Sequence, residues 1–268
     1  MDLIRAIQQT LKKRDDYPFA IYESIKEQKL LNVPVLNPLL IVVLKGIKEL
    51  VIEGEVIACK AGDFIFLTDS PSVDMRNIPA QSEYQALLIE FSHDDFLGFS
   101  STKQAQTQFC IGSLTPSLEP CLSQFIQSSD WAPESIIASR RKEILFLLSH
   151  LGCADALSSV AVSKISNRLH SLFCEPTDED LSMQQICDSL AMSESTLRRK
   201  LKSEGTTVQT IKDRAKLGLG LHLLQSTDYT IGVISQICGY QSQSRFTERF
   251  KSRFGLTPTQ LRNTKKAV

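Results

Sequence analysis

Two short stretches of this chain concentrate side chains able to do chemistry. One holds Ser195, Thr196, Arg198, Arg199 and Lys202; the other holds Ser244, Arg245, Glu248 and Lys251. Hydroxyl, guanidinium and ammonium groups donate hydrogen bonds and offset negative charge. These stretches contain no histidine or cysteine, so they offer no proton shuttle and no thiol nucleophile.

Helices must position them. Leu197 and Leu201, four apart, mark the buried edge of one helix, as do Phe246 and Phe250 of the other. Opposite the first edge lie Ser195, Arg199 and Lys202, flanked by Thr196, Arg198 and Ser203. Opposite the second lie Ser244, Glu248 and Lys251, flanked by Arg245, Thr247 and Ser252. Each helix follows a shorter capped one. Ser182 with Gln185 forms a capping box before Met183, Ile186 and Leu190, and Ser193 caps the second helix. In the other copy Thr230 caps Ile231, Ile234 and Ile237, Gly239 supplies the turn and Ser242 caps the next helix.

The two units are a duplication. Ser182 matches Thr230, Ile186 matches Ile234 and Ala191 matches Gly239 at an offset of 48. Leu197 matches Phe246 and Leu201 matches Phe250 at 49, and Gly205 matches Gly255 at 50. The offset grows only in the turns, as repeated helical units allow. Between the units, Ile211, Ala215, Leu219 and Leu223 recur behind Thr207 and predict a connecting helix. About 18 residues at ~1.5 Å each span ~27 Å, comparable to the ~34 Å separating successive major grooves on one face of DNA. "TPTQLR" then starts a closing helix with Thr257 as cap and Pro258 at the first position.

The balance of 30 basic and 30 acidic residues is a cancellation. From residue 158 on there are 16 Lys+Arg against 10 Asp+Glu; residues 1–157 carry 14 against 20. A basic half suits phosphate. A solvated basic face alone would explain the charge, and the duplicated unit decides for DNA.

Residues 181–262, with "LLQSTDYTI", "ICGY" and "FGLTP", resemble the DNA-binding domain of the AraC/XylS family of bacterial transcription regulators. The resemblance implies two helix-turn-helix motifs joined by a long helix, and usually activation together with RNA polymerase. It assigns base reading to the residues matching Ser195, Thr196, Arg198 and Arg199, and to those matching Gln243, Ser244 and Arg245. Lys202 and Lys251 are expected on phosphates. Glu248 stands where many members are basic; a carboxylate there accepts from cytosine N4 but repels phosphate, which leaves its role and that of the second unit open. Ala191 stands where many members have Gly, so the first turn is either strained or built otherwise.

Residues 35–92 hold apolar runs, "LLIVVL", "ELVIEGEVIAC", "DFIFL" and "YQALLIEF", separated by turn residues, and predict an all-β barrel or sandwich. "IEGEVIACKAGDFIFLTD" resembles part of a cupin-type barrel, the sensor fold of AraC-type regulators. The four histidines, His93, His150, His170 and His222, are too scattered for a cupin metal cluster, so no metal or cofactor is expected. No catalytic constellation stands out, and an enzyme is not expected. "SLEPCLSQFIQSS" and "PESIIASRRKEILFLLSHLG" are helical, with Ile136, Ile137, Ile144, Leu145, Leu147 and Leu148 as an apolar face. They either pair two subunits as a homodimer or cover the barrel's open side.

The expected fold is therefore α+β multidomain. A cupin-like β-barrel with flanking helices occupies 1–152, a small-residue linker 153–162, and an all-α domain with two helix-turn-helix motifs 163–268. "EPTDED" at 175–180 reads as a solvated turn. No apolar run of ~18 residues is evident for a membrane, no signal segment begins the chain, and seven cysteines, an odd count with no CxxC pair, suit a reducing cytoplasm. The reading is a regulator of double-stranded promoter DNA, controlled by a small-molecule or protein effector. The alternative is an architectural or adaptor protein whose barrel only recruits a protein partner.

Overall fold

A computed structural model describes residues 3–11, 17–35, 37–52, 54–68, 70–81, 83–99, 107–160, 164–174 and 181–265. Among these residues nine strands form two antiparallel sheets. Sheet A has the order β1 (Ala20–Ser24), β8 (Tyr84–Glu90), β3 (Leu39–Lys45), β6 (Asp63–Leu67), β9 (Phe109–Ser113). Sheet B has the order β2 (Gln28–Val35), β7 (Ser70–Ile78), β4 (Ile47–Ile52), β5 (Glu55–Lys60). Of the barrel or sandwich expected, the structure has two facing sheets, with no ladder joining their edges among the described residues.

Sheet A is covered on both faces, which explains the unbroken apolar runs of β3 and β8. Leu40 and Val42 face helices α1 (Leu3–Thr10), α2 (Leu118–Ser128), α3 (Glu134–Leu148) and α4 (Ala154–Val160), while Ile41 and Val43 face sheet B. Two expectations about these helices change. Residues 154–160, assigned to the linker, are helical, with Ala156, Leu157 and Val160 buried in the same core as Phe64 and Phe125. Ile136 is 41% exposed, so the α3 face centres on Ile137, Ile144, Leu145 and Leu148.

The helical run Glu134–Val160 is long and apolar enough to cross a bilayer by length and composition, contrary to the sequence reading. It is broken at Gly152, whose φ is 95°, and its apolar side packs into the N-terminal core. The cysteines also differ from expectation: Cys110 and Cys153 form a disulfide with Cα atoms 5.4 Å apart, while Cys59, Cys121, Cys187 and Cys238 are free and buried. The acidic run 175–180 and residues 161–163 lie outside the described residues.

Among the described residues seven helices follow: α5 (Ile165–Cys174), α6 (Met183–Leu190), α7 (Glu194–Ser203), α8 (Val208–Ser226), α9 (Ile231–Ile237), α10 (Gln243–Phe254) and α11 (Pro258–Arg262). They serve two separate cores. Leu169, Ile186, Leu190, Leu197, Leu201 and Ile211 form a small one around α6 and α7. Leu217, Leu221, Leu224, Ile234, Phe246, Phe250 and Phe254 instead join Leu30, Val33 and Met75 of sheet B in one cluster. Helix α8 therefore turns different sides to different partners. Leu219, expected inside, is 41% exposed, and Leu217, Leu221 and Leu224 take the buried positions.

Candidate nucleic-acid interface

Both candidate reading helices are held by caps read from the sequence. The Ser193 hydroxyl accepts from Thr196 N–H at 3.3 Å, and the Ser242 hydroxyl from Arg245 N–H at 3.3 Å. Thr207 caps α8 through Thr210 N–H at 3.1 Å, and the capping boxes at Ser182 and Thr257 are both formed. Such caps are each worth ~1 kcal/mol. They fix where each helix starts and hence which side chains its first turns present.

The turn before α7 settles the question raised by Ala191. Its φ is 52° and ψ is 48°, the left-handed conformation, with its N–H donating to Asp188 O at 3.1 Å and Met192 N–H to Cys187 O at 3.0 Å. In the other unit Gly239 takes the same region at φ 70°. The two turns share one geometry, and only the first holds an L side chain in it.

Behind α7, Leu197 and Leu201 are fully buried; behind α10, Phe246, Phe250 and Phe254 are. Sequence reading took Phe254 only as the extra residue that shifts the repeat, not as part of the buried edge. Gly220 of α8 makes room for this stack: a Cβ there would stand 2.8 Å from the Phe246 ring and 3.3 Å from the Cys238 sulfur. The burial of these edges leaves Ser195, Arg198, Arg199 and Lys202 exposed on α7, with Thr196 half-buried. On α10, Gln243, Ser244, Arg245, Glu248 and Lys251 are all exposed.

The exposed side chains are not equivalent. Arg198 is engaged by Glu194 one turn earlier, at 2.6 Å and 2.7 Å, an exposed pair worth only a few tenths of a kcal/mol. Thr196 Oγ1 accepts from the Ser193 hydroxyl at 3.0 Å, and the Ser195 and Ser193 hydroxyls lie 3.1 Å apart. Arg199 and Lys202 engage no described side chain through a hydrogen bond or ion pair. Lys200 and Lys202 in the last turn of α7, like Lys251 and Arg253 in that of α10, sit at the negative end of the helix dipole. Arg253 is held below its usual guanidinium range by burial and then by the nearby Arg214, which marks it as a packed cation beneath the surface.

Sequence reading missed the contacts that hold this unit in place. Glu204, closing α7, accepts the N–H groups of Ile165 and Ser166 at 2.9 Å each and so caps α5 from outside. Helix α10 rests on strand β2. Asn32 donates to Arg253 O at 3.3 Å, and a Cβ on Gly255, at φ 81°, would stand 3.0 Å from Leu31. Tyr22 and His222 share a 3.1 Å hydrogen bond nearby. Among the described residues no three His, Cys, Asp or Glu side chains gather as a metal site.

Two capped helix-turn-helix units on one connecting helix, attached to a double-sheet unit, define a two-headed helix-turn-helix protein. A family model described as a helix-turn-helix domain matches residues 186–264. The transcriptional regulator AdiY of Escherichia coli K12 is 26% identical over 196 residues, covering 68% of this chain and 78% of AdiY. The transcriptional activator AggR of Escherichia coli is 28% identical over 138 residues, 50% of this chain and 51% of AggR, so the match spans about half of that relative. Among solved structures, ToxT from Vibrio cholerae, holding an unsaturated fatty acid, matches 93% of this chain and 96% of its own at a TM-score of 0.65 and 13% identity, a likeness of fold. Residues 186–264 are thus a helix-turn-helix domain of the AraC/XylS type, and the relatives that match the chain are transcription regulators.

Proposed function

We propose that this regulator activates transcription by reading two successive major grooves of promoter DNA, one with α7 and one with α10. The observation that carries the reading is the matched pair of capped, solvent-facing helices on the 19-residue α8, ~28 Å long. Arg199 is the prime base reader, supported by Ser195, Thr196 and Arg198. Gln243, Ser244 and Arg245 are their counterparts on α10. Lys202 and Lys251 neutralise phosphate, and Glu248 accepts from a cytosine amino group.

Residues up to 160 form the effector-responsive unit and residues from 164 the DNA-binding unit. The protein works in the cytoplasm, with RNA polymerase as partner and an exposed α3 face available for pairing two copies. The test is genome-wide occupancy of the tagged protein with an Arg199→Ala control, followed by footprinting of one recovered promoter. Discrete peaks sharing a motif, blurred in the variant, with two protected major-groove patches one turn apart, are expected. Broad occupancy indifferent to the substitution would instead make this an architectural protein.

A further inference from the structure

The Cys110–Cys153 pair joins two places that matter for the reading above. Cys110 lies on β9, an edge strand of sheet A that pairs with β6 alone among the described residues, and is half-buried. Cys153 is fully buried and follows Gly152 at the break between α3 and α4. A Cβ on Gly152 would meet nothing within 4 Å, so the break has open space around it. Beyond α4 comes α5, whose first N–H groups are held by Glu204 at the end of α7, and whose Asn167 lies 2.8 Å from His93. The disulfide thus ties the sheet to the segment that leads to the first reading helix. The second reading helix is fixed independently through the core it shares with sheet B.

We propose that Cys110 and Cys153 are a thiol oxidation site that sets the placement of α7 relative to α10. The proposal rests on the DNA-reading function above. A protein that works on chromosomal DNA sits among reducing thiols, where a disulfide is characteristically transient or redox-sensing. Oxidation runs by exchange with a small disulfide. The Cys110 thiolate attacks it and releases one small thiol; the Cys153 thiolate then displaces the second. Two electrons pass from the protein sulfurs to the small disulfide, and the two protons leave on its thiols. Reduction reverses this, entering at Cys110, the accessible sulfur.

The test poises the full-length chain in oxidised and reduced glutathione and reads thiol occupancy by differential alkylation, backbone hydrogen exchange, and affinity for a recovered promoter fragment. Expected are a Cys110–Cys153 linked peptide in the oxidised sample, and amides of α4 and α5 exchanging about tenfold faster on reduction while α9 and α10 stay unchanged. Promoter affinity should shift about tenfold between the two states. Cys110→Ser and Cys153→Ala should each hold the reduced behaviour in both buffers. Absence of the linked peptide, or identical exchange and affinity in both states, overturns the proposal. Exchange that responds in a chain binding no promoter in either state leaves the oxidation site standing and defeats the regulator reading instead.

Discussion

Gln28 of β2 and Gln225 of α8, each 2% exposed, exchange side-chain amide hydrogen bonds of 3.4 Å and 3.3 Å across the boundary between sheet B and the connecting helix. Gln28 also donates to the Thr264 hydroxyl at 2.7 Å and accepts from Asn77 at 2.8 Å, and Asn77 in turn accepts from the buried Lys48 at 2.8 Å. Gln28→Ala strands these partners in a buried interface and should cost about 2–4 kcal/mol, since each unsatisfied buried polar group costs ~1–3 kcal/mol. A double-mutant cycle with Gln225→Ala in chemical denaturation should give a coupling of about 1 kcal/mol or more; additive effects would show that the two amides act separately.

On DNA, Arg199→Ala should cost ~1–3 kcal/mol and relax specificity at one base pair, as loss of a bidentate guanine contact does. Lys251→Ala should weaken all sequences alike and lower the salt slope by about one. Equilibrium binding at several salt concentrations, on target and scrambled duplexes, separates the two. Uniform weakening by Arg199→Ala would move that residue to the phosphate class.

Ala191 carries a side chain in a left-handed backbone that costs an L residue ~1–2 kcal/mol. Ala191→Gly relieves this but loses ~0.5–1 kcal/mol in chain entropy. A net gain of about 0.5–1 kcal/mol in denaturant unfolding is expected. A loss would show that the methyl group packs usefully where it stands.

His170 is buried and held neutral, its pKa lowered to about 4 by burial and then by the neighbouring His93. Between there and the ordinary value of 6.5 the unfolded chain takes up a proton that the folded one refuses. Stability should therefore be full above pH 6.5 and fall by roughly 2–3 kcal/mol as pH drops toward 4. His222, also lowered mainly by burial, acts in the same direction. Thermal unfolding from pH 7 to 4.5 should show a shallower decline in His170→Gln; an unchanged slope would assign the effect elsewhere.

Local signals were legible and distant ones were not. Ser182, Ser193, Thr207, Thr230, Ser242 and Thr257 all cap as their sequence context predicts, because a cap needs only the next three residues. Strands β3, β6 and β8 stood out because both faces of sheet A are covered. Strand β2 did not: Asn32 at φ 51° and two register shifts break its alternation. Strand β7 hides behind outward Asp74 and Arg76, the latter paired with Glu27 and Glu49 at 2.9 Å and 2.7 Å. Nothing local marks Gln28 and Gln225 as partners, since 197 residues separate them. The same distance hid the split of the helices between two cores and the true inner face of α8.

That shared core also bears on how the chain is made. Leu30 and Val33 leave the ribosome more than 200 residues ahead of Phe246, Phe250 and Phe254, which belong to the same cluster. At ~5–20 residues per second the apolar edge of sheet B waits on the order of ten seconds or more without its cover. During that interval a nascent chain is most exposed to chaperones and to its neighbours on the polysome, and a message truncated before α10 yields a sheet that is never closed.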